Sequence, residues 1–212
     1  MKIKSFTFNT FQENTYVIYD DTKECVIVDP GCYTKEEKNT LEKFIISKSL
    51  KPVKIINTHC HIDHILANKF ASDKWNIELY MHKADLPLLE NAGNISKIYG
   101  FEDYEEYSYK RKYVFEGDIL TFGTSSFEIL FTPGHAPGHI CLYNKKNNLL
   151  VSGDVIFKGS IGRTDLPGGD YDTLIKSIRI KLLPLPKETQ IFCGHGPSTN
   201  LGFEKENNPF LR

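Results

Sequence analysis

The segment Asn57-Thr58-His59-Cys60-His61-Ile62-Asp63-His64 constrains this chain more than any other. The chain has seven histidines in 212 residues, and three of them fall within positions 59–64, together with an aspartate. The preceding run, "VKIIN", reads as a short buried strand, so the cluster begins just past a strand's carboxyl end. The same arrangement recurs three times: "SFEILFT" leads to Pro133-Gly134-His135, "NNLLVSG" to Asp154, and "TQIFCG" to His195. In layered α/β proteins, ligands bind in crevices outside the carboxyl ends of strands. Four such ends on neighbouring strands can therefore converge although they lie far apart in sequence.

The residue types narrow the chemistry. Five histidines (His59, His61, His64, His135, His195) and two aspartates (Asp63, Asp154) exceed what one four-coordinate ion uses. They fit two divalent ions about 3.5–4 Å apart, one carboxylate bridging and a water shared between them. Imidazole and carboxylate without an obligatory thiolate suit Zn, Fe or Mn. Such a pair lowers the pKa of its water and polarises a carbonyl. A structural zinc site is closed by four ligands and is often cysteine-rich. The surplus of ligands and the lack of a Cys-x-x-Cys pair argue against that reading, and an exposed histidine loop leaves the other strand-end ligands unexplained.

Bulk properties exclude several classes. A net charge of −1 gives no electrostatic footprint for nucleic acid or an anionic membrane. The start, "MKIKSFTFNTFQENTYVIYD", alternates like a strand rather than carrying the apolar core of a signal peptide, and no apolar run reaches the roughly 18 residues of a membrane span. Five cysteines, an odd count, point to reduced thiols and a cytoplasmic protein. No partner chain is implied; the sequence leaves the oligomeric state open, and a monomer is compatible with it.

Along the chain, "KSFTFNTF", "NTYVIYD" and "ECVIVDPG" read as an antiparallel opening. Thr34 with Glu37 forms a capping box ahead of a helix carrying Leu41, Phe44 and Ile45, and Lys51-Pro52 is expected to end it. A helix is expected from Asp63 to about Trp75, "IELYMH" as a strand, and "KADLPLLENA" as a helix with Pro87 in its first turn. Residues 94–117, rich in tyrosine and charge, have no clean period and read as an excursion over the surface. In the second half three strands precede the loop "KGSIGRTDLPGGD", and a helix follows with Leu174, Ile175, Ile178 and Leu182 on one face. "TQIFCG" closes as a strand. This predicts two sheets packed face to face with helices outside, as one domain over 1–212.

At this point the sequence resembles the metallo-β-lactamase fold superfamily. "THCHIDH", "TPGH", "SGD" and "CGH" match its metal motifs in order, over essentially the whole chain. It is most similar to the short bacterial glyoxalase II-like (hydroxyacylglutathione hydrolase-like) subfamily, through "VDPG", "TPGHAPGHICLY", "SGDVIFKGSIGRTDLPGGD" and "GHGPSTNLGFEKENNPFL". The resemblance implies an α/β fold, a four-layer αββα sandwich of two mixed sheets with outer helices. It implies that His59, His61 and His135 hold one metal, that Asp63, His64 and His195 hold the other, and that Asp154 bridges. The pair is expected to be zinc, with iron or manganese as alternatives. It further implies a metal-bridging hydroxide attacking a small-molecule thioester, S-lactoyl or another hydroxyacyl thiol ester, with Asp63 orienting or deprotonating the water. Full-length glyoxalase II carries a further C-terminal helical region that supplies most glutathione contacts. None is expected here, which leaves the thiol carrier open, and no substrate-binding residue is assigned.

Other residues carry two readings each. His139 is either a support behind the metal ligands or a histidine packed at a strand start, and Asp29 either supports the site or serves a turn. Cys60 points into the core more readily than at a metal, and His82 has no ligand companion. Arg163 with Asp165 either recognises a substrate carboxylate or pins the glycine-rich loop, the latter favoured. The tyrosines of 94–117 either wall the substrate pocket or pack with exposed hydroxyls. Competing functions are a mononuclear-iron persulfide dioxygenase on the same scaffold, a lactonase or β-lactamase, and a non-enzymatic module that keeps the metal for stability.

Overall fold

The computed structural model describes residues 1–212. Strands β1 (Lys2–Phe8), β2 (Glu13–Tyr19) and β3 (Glu24–Val28) run antiparallel, as alternating β-branched and aromatic residues require. Helix α1 (Lys35–Ser47) starts at the Thr34–Glu37 capping box. It crosses to β4 (Lys51–Ile56), β5 (Leu79–Met81) and β6 (Arg111–Tyr113), which extend the sheet in parallel to give the order β1-β2-β3-β4-β5-β6.

The second sheet contains β7 (Ile119–Phe122), β8 (Ser125–Phe131), β9 (Ile140–Asn144), β10 (Leu149–Gly153), β13 (Gln190–Cys193) and β14 (Thr199–Asn200), in the order β14-β13-β10-β9-β8-β7. Strand β10 is parallel to β13 and antiparallel to β9, which is antiparallel to β8. Thus β8, β10 and β13 all point their carboxyl ends to one edge. The short hairpin of β11 (Ile156–Phe157) and β12 (Ser160–Ile161) follows β10, and helix α6 (Tyr171–Ser177) continues as a wider π-helical turn over Ile178–Leu182.

Side-chain alternation at period two sorts the strands into layers. Tyr16, Ile18, Val26, Val28 and Ile56 meet Phe127, Ile129, Ile140, Leu142 and Val151 between the sheets. The opposite faces carry Val17, Cys25, Ile27 and Ile55 against Leu41 and Ile45 of α1, and Leu130, Cys141, Tyr143 and Leu150 against Leu174, Ile178 and Leu182. The result is the expected αββα sandwich. No helix is long and apolar enough to cross a membrane.

Three local expectations are corrected. The first helix ends at Ser47, and Lys51-Pro52 begins β4, where a register shift beside Cys25 and Val26 tolerates a residue without an N–H. The expected helix from Asp63 is two pieces, α2 (Ile62–Ile65) and α3 (Asn68–Trp75). The chain turns between them because Ala67 donates its N–H to the Pro30 carbonyl at 2.8 Å. Within 94–117, α5 (Ala92–Ile98) and β6 give part of the segment regular structure, and Tyr107 is buried. Helix α4 (Leu86–Glu90), with Pro87 in its first turn, precedes α5, and α7 (Leu201–Asn207) packs Leu201 onto the second sheet's outer face.

At the edge opposite the histidine-bearing strand ends, Asp20 ties the two sheets together. Its Oδ2 accepts from Thr124 N at 2.7 Å and Ser125 Oγ at 3.0 Å, and its Oδ1 accepts from Thr22 N at 2.9 Å. Burial raises the carboxyl's pKa, but these donors overcome it and hold the group well below the usual range. Asp20→Ala should cost about 1.5–3 kcal/mol, each kcal/mol lowering the thermal midpoint by about 2–4 °C. A depressed folded pKa stabilises above the unfolded value of about 3.9, and that contribution is lost as pH falls below it. The gap between parent and variant midpoints should be full at pH 7 and shrink toward pH 2. A gap that does not change with pH would show that the charge is not what ties the sheets.

Candidate metal centre

All seven residues expected at the site meet at the edge where β4, β8, β10 and β13 end. Two groups form. In one, His135 Nε2 lies 2.9 Å from His61 Nδ1 and 3.3 Å from His59 Nε2. In the other, His195 Nε2 lies 3.2 Å from His64 Nε2 and 3.2 Å from Asp63 Oδ2. Asp154 faces both: its Oδ2 is 3.5 Å from His135 Nε2 and 3.5 Å from His195 Nε2, and its Oδ1 is 3.5 Å from His64 Nε2.

The donor set fits cations. Imidazole nitrogens face one another at hydrogen-bond distance, so one of each pair must carry a proton merely to avoid lone-pair repulsion. Asp154 Oδ1 is buried without a hydrogen-bond partner, a costly state that a bound cation relieves. The electrostatics agree. Burial disfavours charge on His64, yet Asp63, Asp154 and Asp29 push its pKa well above the ordinary value. Burial also opposes charge on His195, but the Asp63 hydrogen bond raises it. Burial, joined by the neighbouring histidines, lowers His59, and burial pushes His61 down to about 3. Burial likewise lowers His135, so all three imidazoles of the first group favour the neutral form, while the second group attracts positive charge.

Supports behind the ligands set which ring nitrogen faces inward. His135 Nδ1 bonds the Arg163 carbonyl at 2.8 Å, and His195 Nδ1 the Phe11 carbonyl at 3.1 Å. His59 Nδ1 lies 3.1 Å from Thr58 Oγ1, and His64 Nδ1 3.2 Å from Asp29 Oδ2. Asp29 also sits near His59 and His64 closely enough to form a third possible group. Its oxygens are already occupied, however, accepting Thr58 N at 2.7 Å and Thr58 Oγ1 at 2.6 Å. Asp29 therefore serves both readings, as a support and as a turn residue with φ of 48°. Glycine is required at 194, where a Cβ would collide with Asp154 Oδ1.

The ambiguous residues resolve as follows. His139 is buried, stacks on the His59 ring with centroids 4.8 Å apart, and accepts the Asp154 N–H at Nε2, 3.0 Å away, so it supports the site. Cys60 packs into the core. His82 stacks on Phe131 and caps a short turn, apart from the cluster. Arg163 and Asp165 form an exposed two-point pair, 2.7 Å for both bonds.

Two supports had no signal in the sequence. Asp85, whose carboxyl burial pushes up to about 6, accepts the N–H groups of Cys60 and Gly138, clamping the loops that carry His61 and His135. Glu13, buried and pushed well above the carboxylate range by desolvation, directs Oε1 toward His64 Nδ1 at 3.9 Å. Asp85 acts through backbone N–H groups and Glu13 reaches His64 from a strand far away in sequence, so neither leaves a motif.

A cavity of about 560 Å³ opens over the cluster. The family model for the metallo-beta-lactamase superfamily matches residues 8–195. The chain is 39% identical to the probable metallo-hydrolase YqgX of Bacillus subtilis and 37% identical to the hydroxyacylglutathione hydrolase GloC of Haemophilus influenzae, covering 100% of this chain and 98% of each relative. Among solved structures, the BLEG-1 B3 metallo-beta-lactamase superposes with a TM-score of 0.89 at 38% identity, covering 99% of both chains. TTHA1623 in a di-iron-bound form superposes with a TM-score of 0.88 at 36% identity, covering 98% of this chain and 100% of that one.

His139→Phe removes the acceptor for the Asp154 N–H while keeping a ring against His59. It should lower urea-unfolding stability by about 1–3 kcal/mol and weaken retention of divalent metal by about 10–100-fold in chelator competition. Unaltered retention would detach His139 from the site.

Proposed function

The chain belongs to the metallo-beta-lactamase superfamily, and within it we propose that the protein is a binuclear metallohydrolase that cleaves thioesters of hydroxyacyl type. The observation that carries this reading is Asp154, whose two oxygens face both histidine groups at 3.5 Å with one of them otherwise unpartnered. A single-ion arrangement, as a mononuclear oxygenase needs, would leave the second group unused. The similarity to a hydroxyacylglutathione hydrolase supports the thioester bond as the target.

His59, His61 and His135 would hold one divalent cation and Asp63, His64 and His195 the other, with Asp154 shared; zinc is the expected metal and iron or manganese fit the same ligands. When bound, the pair supplies a water of lowered pKa and stabilises negative charge on the acyl oxygen. The chain's own residues do the rest. Burial would raise the Asp63 carboxyl, but His64 and the hydrogen bond from His195 hold it below its usual value, so it is ionised at neutral pH and can accept a hydrogen bond that orients the attacking water. The Arg163 and Phe11 carbonyls fix His135 and His195, so the inward nitrogens need no rearrangement during turnover. The mostly apolar cavity walls limit the water competing at the reacting carbon.

Purified protein should contain two divalent ions per chain by elemental analysis, cleave an S-lactoyl thioester, and lose that activity to a chelator. His61→Ala and Asp154→Ala should each lower kcat/KM by about 10³-fold or more, since either removes a group at the reacting atoms. His82→Ala should retain nearly full activity. Inertness toward a panel of acyl thioesters with both metals bound would overturn the proposal, and one iron per chain with oxygen uptake on a persulfide would replace it with the dioxygenase.

A further inference from the structure

The cavity over the cluster differs on its two sides. Its floor holds the metal-type ligands, but its walls are apolar. Leu88, Ala92 and Ile95 from α4 and α5 face Phe157, Ile161 and Leu166 from the segment after Asp154. At the mouth, Phe11 and Tyr99 meet edge-on with ring centroids 5.3 Å apart, and both remain exposed, at 42% and 45%. Arg163 is the only lysine or arginine among the lining residues, and its guanidinium is already matched by both oxygens of Asp165. The neutral polar lining beyond the cluster is Asn91, Ser160, the Tyr99 hydroxyl at the mouth and the weakly polar Cys60 thiol.

This lining selects against charge. Away from the floor, a charged acyl substituent lying along the walls meets no free cation and must give up water, a loss of several kcal/mol unless it is paired. An apolar chain gains about 0.8 kcal/mol for each methylene it buries. A three-carbon hydroxyacyl group leaves most of a cavity of about 560 Å³ unfilled, and the walls offer its hydroxyl few partners. Apolar walls around a few convergent polar groups are the ordinary lining of a small-molecule site.

We propose that the site takes thioesters whose acyl group is an unsubstituted apolar chain longer than three carbons, on a carrier whose charges stay outside the cavity. This rests on the thioester-hydrolase reading and departs from it only in the acyl group, an unsubstituted chain being preferred to a hydroxyacyl one. The reaction balances as hydrolysis: the water oxygen bonds the acyl carbon, the C–S bond breaks, sulfur leaves with the electron pair and takes up a proton, and a carboxylic acid is released. No oxidant or second substrate is needed.

The test uses the full chain with its metals bound and a series of S-acyl-N-acetylcysteamines, acetyl, butyryl and hexanoyl, beside S-lactoyl-N-acetylcysteamine and S-lactoylglutathione. The expected result is a kcat/KM that rises about fourfold per methylene, or about two orders of magnitude from acetyl to hexanoyl. Hexanoyl should exceed lactoyl on the same carrier by at least tenfold. Ile95→Asn and Leu88→Asn, each checked for an unchanged thermal midpoint, should each lower the hexanoyl-to-acetyl ratio by about tenfold. A ratio that is flat with chain length, or lactoylglutathione preferred over the hexanoyl ester, overturns the apolar-acyl assignment and leaves thioester hydrolysis standing. Failure of every thioester overturns both.

Discussion

One carboxylate of Asp29 accepts the Thr58 N–H at 2.7 Å and the Thr58 hydroxyl at 2.6 Å, while its Oδ2 lies 3.2 Å from His64 Nδ1. Asp29 stands at the end of β3 and Thr58 at the end of β4, neighbouring parallel strands. The contact therefore fixes the direction in which the 59–64 segment leaves the sheet. With both oxygens occupied and the residue buried, no other arrangement of that segment satisfies the carboxylate at equal cost. Every imidazole of the first loop takes its place from this constraint.

The second sheet must then be held against the first to within a fraction of an ångström, since ligand geometry tolerates little more. The staples are polar and buried. Tyr16 donates its hydroxyl to the Cys193 carbonyl at 2.6 Å, Asn14 donates from Nδ2 to Cys193 and Gly196, and the Asn14 N–H bonds Gly194 O at 2.7 Å. Asp85 joins the Cys60 and Gly138 loops in the same way. Leaving any of these donors unsatisfied inside the protein costs more than the bond itself contributes, so the network specifies one relative position of the sheets. The apolar core between the sheets supplies cohesion, and the polar staples supply register.

The site edge thus has a polar rear and an apolar front. Behind the ligands, backbone carbonyls, hydroxyls and carboxylates choose which ring nitrogen faces inward. In front, α4, α5 and the segment after Asp154 form walls that hydrogen-bond little. Fixed dipoles on one side and low polarity on the other strengthen the field of any charge held at the floor. The tyrosine-rich segment contributes to both parts of the molecule: Tyr99 stands at the mouth of the cavity, and Tyr107 is buried beneath the helices.

The layered fold and the seven converging residues were legible because they follow local rules. Strand alternation sorts Val17 from Tyr16 and Ile18, and the ligands cluster in type and follow apolar runs. The ambiguities came where a residue's role depends on a remote partner. Pro52 looked like a helix stop because only the register shift opposite it shows that its missing N–H is not needed. The helix after Asp63 breaks because the Pro30 carbonyl, 37 positions earlier in the chain, claims the Ala67 N–H. Asp85 and His139 show the same dependence, accepting backbone N–H groups from other segments, and Glu13 reaches His64 only across the fold. By itself, then, the sequence determined the layers, the strand ends and the ligand types, which short-range periodicity and side-chain chemistry dictate. Tertiary structure alone decided which nitrogen of each histidine faces inward, which carboxylates stand behind them and how apolar the cavity is, because those depend on distances between segments that no local pattern encodes.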